Sequence, residues 1–252
     1  MEIITLATGS TGNAYVVREG EDALLLDAGL TIGKLKEKLW GEGLYATDLD
    51  GALITHRHMD HAAAAVDLAK LGVDTLMGED VGEYLGLDGS MYRPAVPEET
   101  TKVGGRWGVK PLPVEHGGVD CLSYLILNEE VGEKLLYVTD TSYFPYRIPG
   151  LDYVMVECNW QKEYLDEALE NKRISVEHAR KSIKTHMSLG TAVDFLRKTD
   201  LKKVREVHLI HASETNADPE DCRKTVEAEF GVPTYAAGSL DPVGARSGSG
   251  SR

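Results

Sequence analysis

Cysteine is scarce in this chain. Cys121, Cys158 and Cys222 are odd in number, far apart and in no Cys-x-x-Cys pair, which fits reduced thiols better than a disulfide framework. Basic residues are also few. Lys and Arg total 27 against 41 Asp and Glu, a net charge of −14. A field that acidic repels a phosphate backbone and speaks against a non-specific nucleic-acid coat. It leaves room for a local positive site, because bound metal ions can be the largest charges in a pocket. No apolar run approaches the ~20 residues that cross a bilayer, and no basic stretch precedes an apolar block at the start. The expectation is a cytoplasmic chain with no membrane partner. What is present is ordinary globular material: 252 residues, 42% hydrophobic and 27% charged, long enough to bury a substantial core.

Short apolar runs separated by glycine turns predict strands near residues 3–6, 14–17, 23–26 and 51–55, with a helix over 32–40. An alanine-rich stretch, 62–71, reads as one helix stopped by Gly72. Further strands are expected at 112–114, 122–127, 135–138, 153–156 and 207–210. Helices are expected at 177–184, 189–198 and 219–230, the last with proline in its first turn. Two runs of strands, each followed by helices, predict an α/β fold with two sheets packed together and helices outside, a four-layer αββα sandwich. Residues 1–237 read as one domain. Residues 238–252 read as a flexible Gly/Ser-rich tail, a remnant of cloning or a native extension.

The densest chemistry is Thr55-His-Arg-His-Met-Asp-His61, three imidazoles and a carboxylate at the end of a strand and the start of a helix. Side chains alternate along a strand, so His56 and His58 point the same way. The turn into the helix then swings Asp60 and His61 toward a second point. This suits two metal ions, one on His56 and His58, the other on Asp60 and His61. Nitrogen with carboxylate oxygen suits Zn²⁺ and also Mn²⁺, Fe²⁺ or Co²⁺. Further ligand-type residues stand just after predicted strands: His116, Asp140 and His211. Together they complete two shells, with Asp140 able to bridge. Asp27 either orients a ligand histidine from behind or simply ends a strand.

The His-x-His-x-Asp-His pattern at 56–61, the later His116, Asp140 and His211, and the order of strands and helices resemble the metallo-β-lactamase fold superfamily. The resemblance runs from Met1 to about Tyr235. It implies the machinery and not the reaction, because the fold hosts many. Arg57 stands where redox relatives usually carry Glu, which speaks against oxygen reduction. The length leaves no space for the large inserted domain of the β-CASP nucleases. Thr185-His-Met-Ser188 and Val156-Glu-Cys-Asn159 resemble segments of ribonuclease Z-like and YycJ-like phosphodiesterases. By that resemblance His186 serves the leaving group or the phosphoryl oxygens, with Glu157 on its other ring nitrogen, and Asp60 helps to orient the attacking water. The plainer reading of His186 is a helix cap. The start Thr8-Gly-Ser-Thr-Gly-Asn13 resembles the SGSxGN opening of the YycJ-like branch and places Ser10 and Asn13 near substrate.

The resemblance implies two divalent ions, Zn²⁺ or Mn²⁺, that activate water for in-line attack on phosphorus. Tyr143-Phe-Pro-Tyr-Arg147 offers an aromatic, Tyr143, and a cation, Arg147, to stack a base and touch a phosphate, with Ser188 as a further contact; a packed aromatic loop is the alternative. The basic arm with which ribonuclease Z-like enzymes grip tRNA is missing. The charge balance favours a small nucleotide over polymeric nucleic acid. The expected substrate class is therefore 3′,5′-cyclic mononucleotides, as for phage anti-Pycsar phosphodiesterases that erase cyclic pyrimidine signals, with the host cytoplasm as the place of action. Two alternatives stay open: a YycJ-like 5′–3′ exonuclease on single-stranded DNA or RNA, and a non-catalytic metal-binding protein. Many relatives pair, so a homodimer is open too.

Overall fold

In the computed structural model, which describes residues 1–236, the chain divides into two units. The first comprises residues 1–96 with 101–107, the second residues 97–100 with 108–236. The tail expected at 238–252 lies outside the described residues.

The first unit opens with β1 (Glu2–Ala7), β2 (Ala14–Glu19) and β3 (Asp22–Leu26), followed by α1 (Ile32–Gly41) and β4 (Gly51–Ile54). Two short helices, α2 (Met59–Ala62) and α3 (Ala65–Lys70), lead to β5 (Thr75–Met77), α4 (Glu79–Tyr84), β6 (Arg93–Pro94) and β7 (Thr101–Val103). The sheet runs β1-β2-β3-β4-β5-β6. Its first two pairings are antiparallel hairpins and the rest are parallel. Leu35 and Leu39 of α1, four apart and so on one side of the helix, join Val16, Leu25, Ile54 and Leu68 in the core of this unit. Parallel β3 and β4 both end beside the polar residues that follow them, Asp27 and Thr55-His56.

The alanine-rich stretch corrects the expectation of a single helix over 62–71. Asp60 O would accept from the Ala64 amide in a continuous helix, but it accepts from the backbone N–H of Asn13 at 2.7 Å instead. The Ala64 amide goes to Ala28 O at 2.9 Å. Tertiary bonds thus replace one rung of the ladder, and the helix divides into α2 and α3.

The second unit contains β8 (Trp107–His116) from its second residue, β9 (Val119–Asn128), β10 (Glu133–Val138) and β11 (Tyr153–Glu157). Helices α5 (Lys162–Glu170), α6 (Val176–Thr185) and α7 (Leu189–Lys198) follow, then β12 (Glu206–Ile210), α8 (Pro219–Phe230) and β13 (Thr234–Ala236). Its strands lie in the order β13-β12-β11-β10-β9-β8. Strands β10 to β13 are parallel, and β9 is antiparallel to β10. Parallel strands covered on both faces read as unbroken apolar runs, and β11 is buried at every position. Asp218 caps α8, accepting from the amides of Glu220 and Asp221, and Gly231 closes it in the left-handed region. Among the described residues, no helix is long and apolar enough to cross a membrane.

Candidate metal site

Five described non-glycine residues have positive φ: Asp27, Glu98, Asp140, Lys172 and His211. Three of them follow strands: Asp27 directly after β3, Asp140 two residues beyond the end of β10, and His211 directly after β12. The left-handed region costs an L-residue roughly 1–2 kcal/mol, and Asp and His are among those that tolerate it. Backbone held there at three strand ends marks positions whose side-chain direction matters more than local comfort.

In the first unit, Asp27 is fully buried. One of its oxygens accepts from the Thr55 amide at 2.8 Å, and the other takes the His61 Nδ1–H at 2.7 Å. The Thr55 hydroxyl donates to the same carboxylate and lies 3.0 Å from His56 Nδ1. This decides the two readings of Asp27: it ends a strand and also fixes a histidine. With Nδ1 donating, the neutral ring of His61 carries its lone pair on Nε2, 3.6 Å from Asp60 Oδ2. His56 Nε2 and His58 Nδ1 approach to 2.8 Å, and the rings of His56 and His61 are 4.4 Å apart. The four motif residues therefore gather within this unit.

Backbone packs on backbone around them. A Cβ on Gly29 would stand 1.8 Å from Asp60 O and 2.6 Å from the Asn13 amide, so only glycine fits. Asn13 is buried. Its Oδ1 accepts from the Gly9 amide at 3.0 Å, and its Nδ2 donates to Gly9 O, Asp60 O and His61 Nε2. Its side chain ties the 9–13 loop to the motif, while Ser10 on the same loop is exposed.

In the second unit, Asp140, Glu157, His186 and His211 each bring a ligand-type atom within 4.8 Å of the others. Glu157 is fully buried at the end of β11. Its Oε1 takes the Nδ1–H of His186 at 2.6 Å and of His211 at 2.9 Å. Its Oε2 takes the backbone amides of Thr141 at 3.0 Å and Met187 at 3.2 Å. Burial pushes this carboxyl up, but the two imidazoles outweigh it and hold it below the usual carboxylate range. The sharing of Glu157 with His211 is not legible in the sequence. The two residues are 54 positions apart, and no local spacing announces the contact. Nor is Asn159 legible as a support: its Nδ2 donates to His211 O at 2.8 Å.

His186 is at once the C-cap of α6 and the partner of Glu157. The chain is held there by Trp160, whose ring N–H donates to His186 O at 3.1 Å, and by the Asn159 amide on Met187 O at 2.9 Å. Ser188 is the N-cap of α7, accepting from the Thr191 amide. His116 donates Nδ1–H to Thr185 O at 3.2 Å, and its Nε2 lies 3.5 Å from Asp140 Oδ1. Burial pushes the His116 pKa down, which keeps the ring neutral. The 143–147 segment divides: Phe144 packs into the core of this unit with Tyr146 against it, while Tyr143 and Arg147 are exposed.

The donor chemistry fits a divalent ion. His61, His116, His186 and His211 each give Nδ1–H to an oxygen of the protein, the usual arrangement behind a ligating imidazole. The Nε2-to-carboxylate separations of 3.6 Å for His61–Asp60 and 3.5 Å for His116–Asp140 are long for hydrogen bonds. They are close to the edge of about 3.4 Å expected between ligands of a tetrahedral ion with bonds near 2.1 Å.

A beta-lactamase superfamily domain matches residues 23–212. The exodeoxyribonuclease WalJ of Streptococcus pneumoniae is 27% identical over 243 residues, covering 90% of this chain and 89% of WalJ. The exodeoxyribonuclease YycJ of Bacillus anthracis is 32% identical over 152 residues, 58% of this chain and 56% of YycJ. Among solved structures, the metallo-β-lactamase fold protein YhfI of Bacillus subtilis aligns over 94% of this chain and 95% of its own, with a TM-score of 0.70 at 19% identity.

Proposed function

Because this chain is a metal-dependent hydrolase belonging to the beta-lactamase superfamily, we propose that it is an exonuclease hydrolysing phosphodiester bonds of single-stranded DNA. The observation that carries the reading is the couple of His186 with buried Glu157, a partly exposed imidazole backed by a carboxylate. An oxygen leaving from phosphorus needs a proton, and a carboxylate-backed imidazole supplies one near neutral pH. Similarity to WalJ over nine-tenths of both chains moves the balance from the cyclic mononucleotide to the strand end.

The candidate ligands for two divalent ions, Zn²⁺ or Mn²⁺, are in this reading His56, His58, Asp60 and His61 of the first unit and His116, Asp140 and His211 of the second. Such ions lower the pKa of water and offset charge on phosphoryl oxygens. Asp60 helps to orient the attacking water. His186 donates its Nε2 proton to the departing oxygen and is left as the neutral ring, its Nδ1–H held by Glu157 throughout. Asp27→Asn keeps the shape behind His61 but weakens the acceptor, so metal affinity should fall about 10–100-fold, read by competition with a chromogenic chelator. An unchanged affinity removes Asp27 from this role.

A second reading, hydrolysis of 3′,5′-cyclic mononucleotides, is favoured by the net charge of −14, which opposes a polymeric anion. Metal-loaded protein offered 5′-phosphorylated single-stranded DNA and cyclic nucleotides side by side should release mononucleotides from the DNA. Ring opening with inert DNA selects the second reading. Full metal occupancy with no turnover of either substrate, or of bis-p-nitrophenyl phosphate, selects a non-catalytic metal-binding protein.

A further inference from the structure

Helix α1 buries Leu35 and Leu39 and leaves Lys34, Lys36 and Lys38 exposed, three lysines to one glutamate in ten residues of a chain that is strongly acidic overall. No ion pair among the described residues takes up any of the three lysines. At the end of the helix Trp40 is 62% exposed, and after the turn at Gly43 Tyr45 is 56% exposed. Their rings stand 5.1 Å apart at 57°. With Lys36, Glu37, Thr47 and Leu71 they line a cavity of about 450 Å³, within the size range of small-ligand pockets. Nothing in the proposed chemistry uses these residues.

We propose that this cavity is a second substrate subsite, taking one base and one phosphate of a single-stranded nucleic acid; the inference rests on the single-strand reading above. Every base has a face that stacks on an aromatic ring, and single-strand sites combine such rings with nearby cations. Trp40 is the platform and Tyr45 the angled wall. Lys36 lies one turn from Trp40 on the same side of the helix and is the cation for the phosphate. Glu37 turns a phosphate away and accepts from an exocyclic amino group of the base. A purely apolar partner would leave Lys36 without a counterpart on this wall, and the excess of lysine on α1, with Lys34 and Lys38 on the other side of the same helix, favours an anion.

The subsite is distal. Asp27 and His56 follow the C-terminal ends of β3 and β4, whereas α1 crosses back so that the chain enters β4 at Gly51. Trp40 therefore lies toward the opposite ends of these strands, a helix length of roughly 15 Å away. A dinucleotide is too short to reach both places.

The test uses the metal-loaded full chain and a phosphorothioate single strand of about a dozen nucleotides, with binding read by fluorescence anisotropy. Trp40→Ala and Lys36→Ala should each raise the dissociation constant about fivefold or more, and Lys36→Ala should also flatten its salt dependence. The same variants should bind a phosphorothioate dinucleotide as the parent does. Equal dissociation constants for parent and Trp40→Ala on the long strand overturn the subsite alone. A parent that neither binds nor degrades any single strand overturns the single-strand reading and the subsite with it. A change of oligomeric state in Trp40→Ala with strand binding intact assigns the face to a second copy of this chain and overturns the proposal.

Discussion

Glu157→Ala will cost the second unit about 3–5 kcal/mol, the range for removing one partner from a buried charged network. The size follows from four donors that converge on one fully buried carboxylate: the Nδ1 groups of His186 and His211 and the amides of Thr141 and Met187. Alanine leaves all four facing a cavity. Each buried donor left unsatisfied costs about 1–3 kcal/mol, and water entering the cavity recovers part of this. Glu157→Gln separates charge from shape. Its amide oxygen can serve one pair of donors, but its NH₂ then meets the other pair donor to donor, so it should be destabilised as well, though less than alanine. Urea denaturation followed by circular dichroism reads both. An alanine variant within about 1 kcal/mol of the parent would show that the four contacts carry little, and the network would lose its place as the anchor of the site.

The same network shows what can be read from a sequence. The motif from His56 to His61 is legible because its geometry is local: a strand alternation followed by a helix start, all within six residues. Asp140 and His211 are legible because a strand end pins a following side chain, and positive φ at both positions shows how firmly. Glu157 is only half legible. Its partnership with His186 depends on the turn between α6 and α7 lying beside β11, fixed by backbone bonds such as Leu189 to Trp160 O. Its second partnership, with His211, depends on β11 and β12 being parallel neighbours with Glu157 opposite Ile210. The division of the alanine-rich helix was illegible for a related reason. Residues 62–71 hold no glycine or proline before Gly72, and the break comes from Ala28 and Asn13, more than thirty positions away. Short elements such as β5, β6 and α4 carry too few residues for a periodicity to show. Their existence follows from the sheet they extend.

His186→Ala will lower turnover on single-stranded DNA by about 10²–10⁴-fold, the usual worth of a general acid, while metal content stays at the parent level. The proton matters because a sugar alkoxide leaves poorly from phosphorus. With bis-p-nitrophenyl phosphate the departing phenolate is stable without a proton, and the loss should shrink to a small fraction of that seen with DNA. The two substrates thus distinguish a proton donor from a prop: a residue that merely holds the site in shape would slow both alike. His186 is placed for the first role, with Nδ1 fixed on Glu157 at 2.6 Å and the side chain 16% exposed. Glu157 keeps its bonds to His211, Thr141 and Met187 in the His186→Ala variant, so the fold should persist and elemental analysis remains interpretable. Equal losses on both substrates, or a fall in metal content matching the fall in rate, would move His186 from proton transfer to structural support and take the carrying observation away from the phosphodiesterase reading.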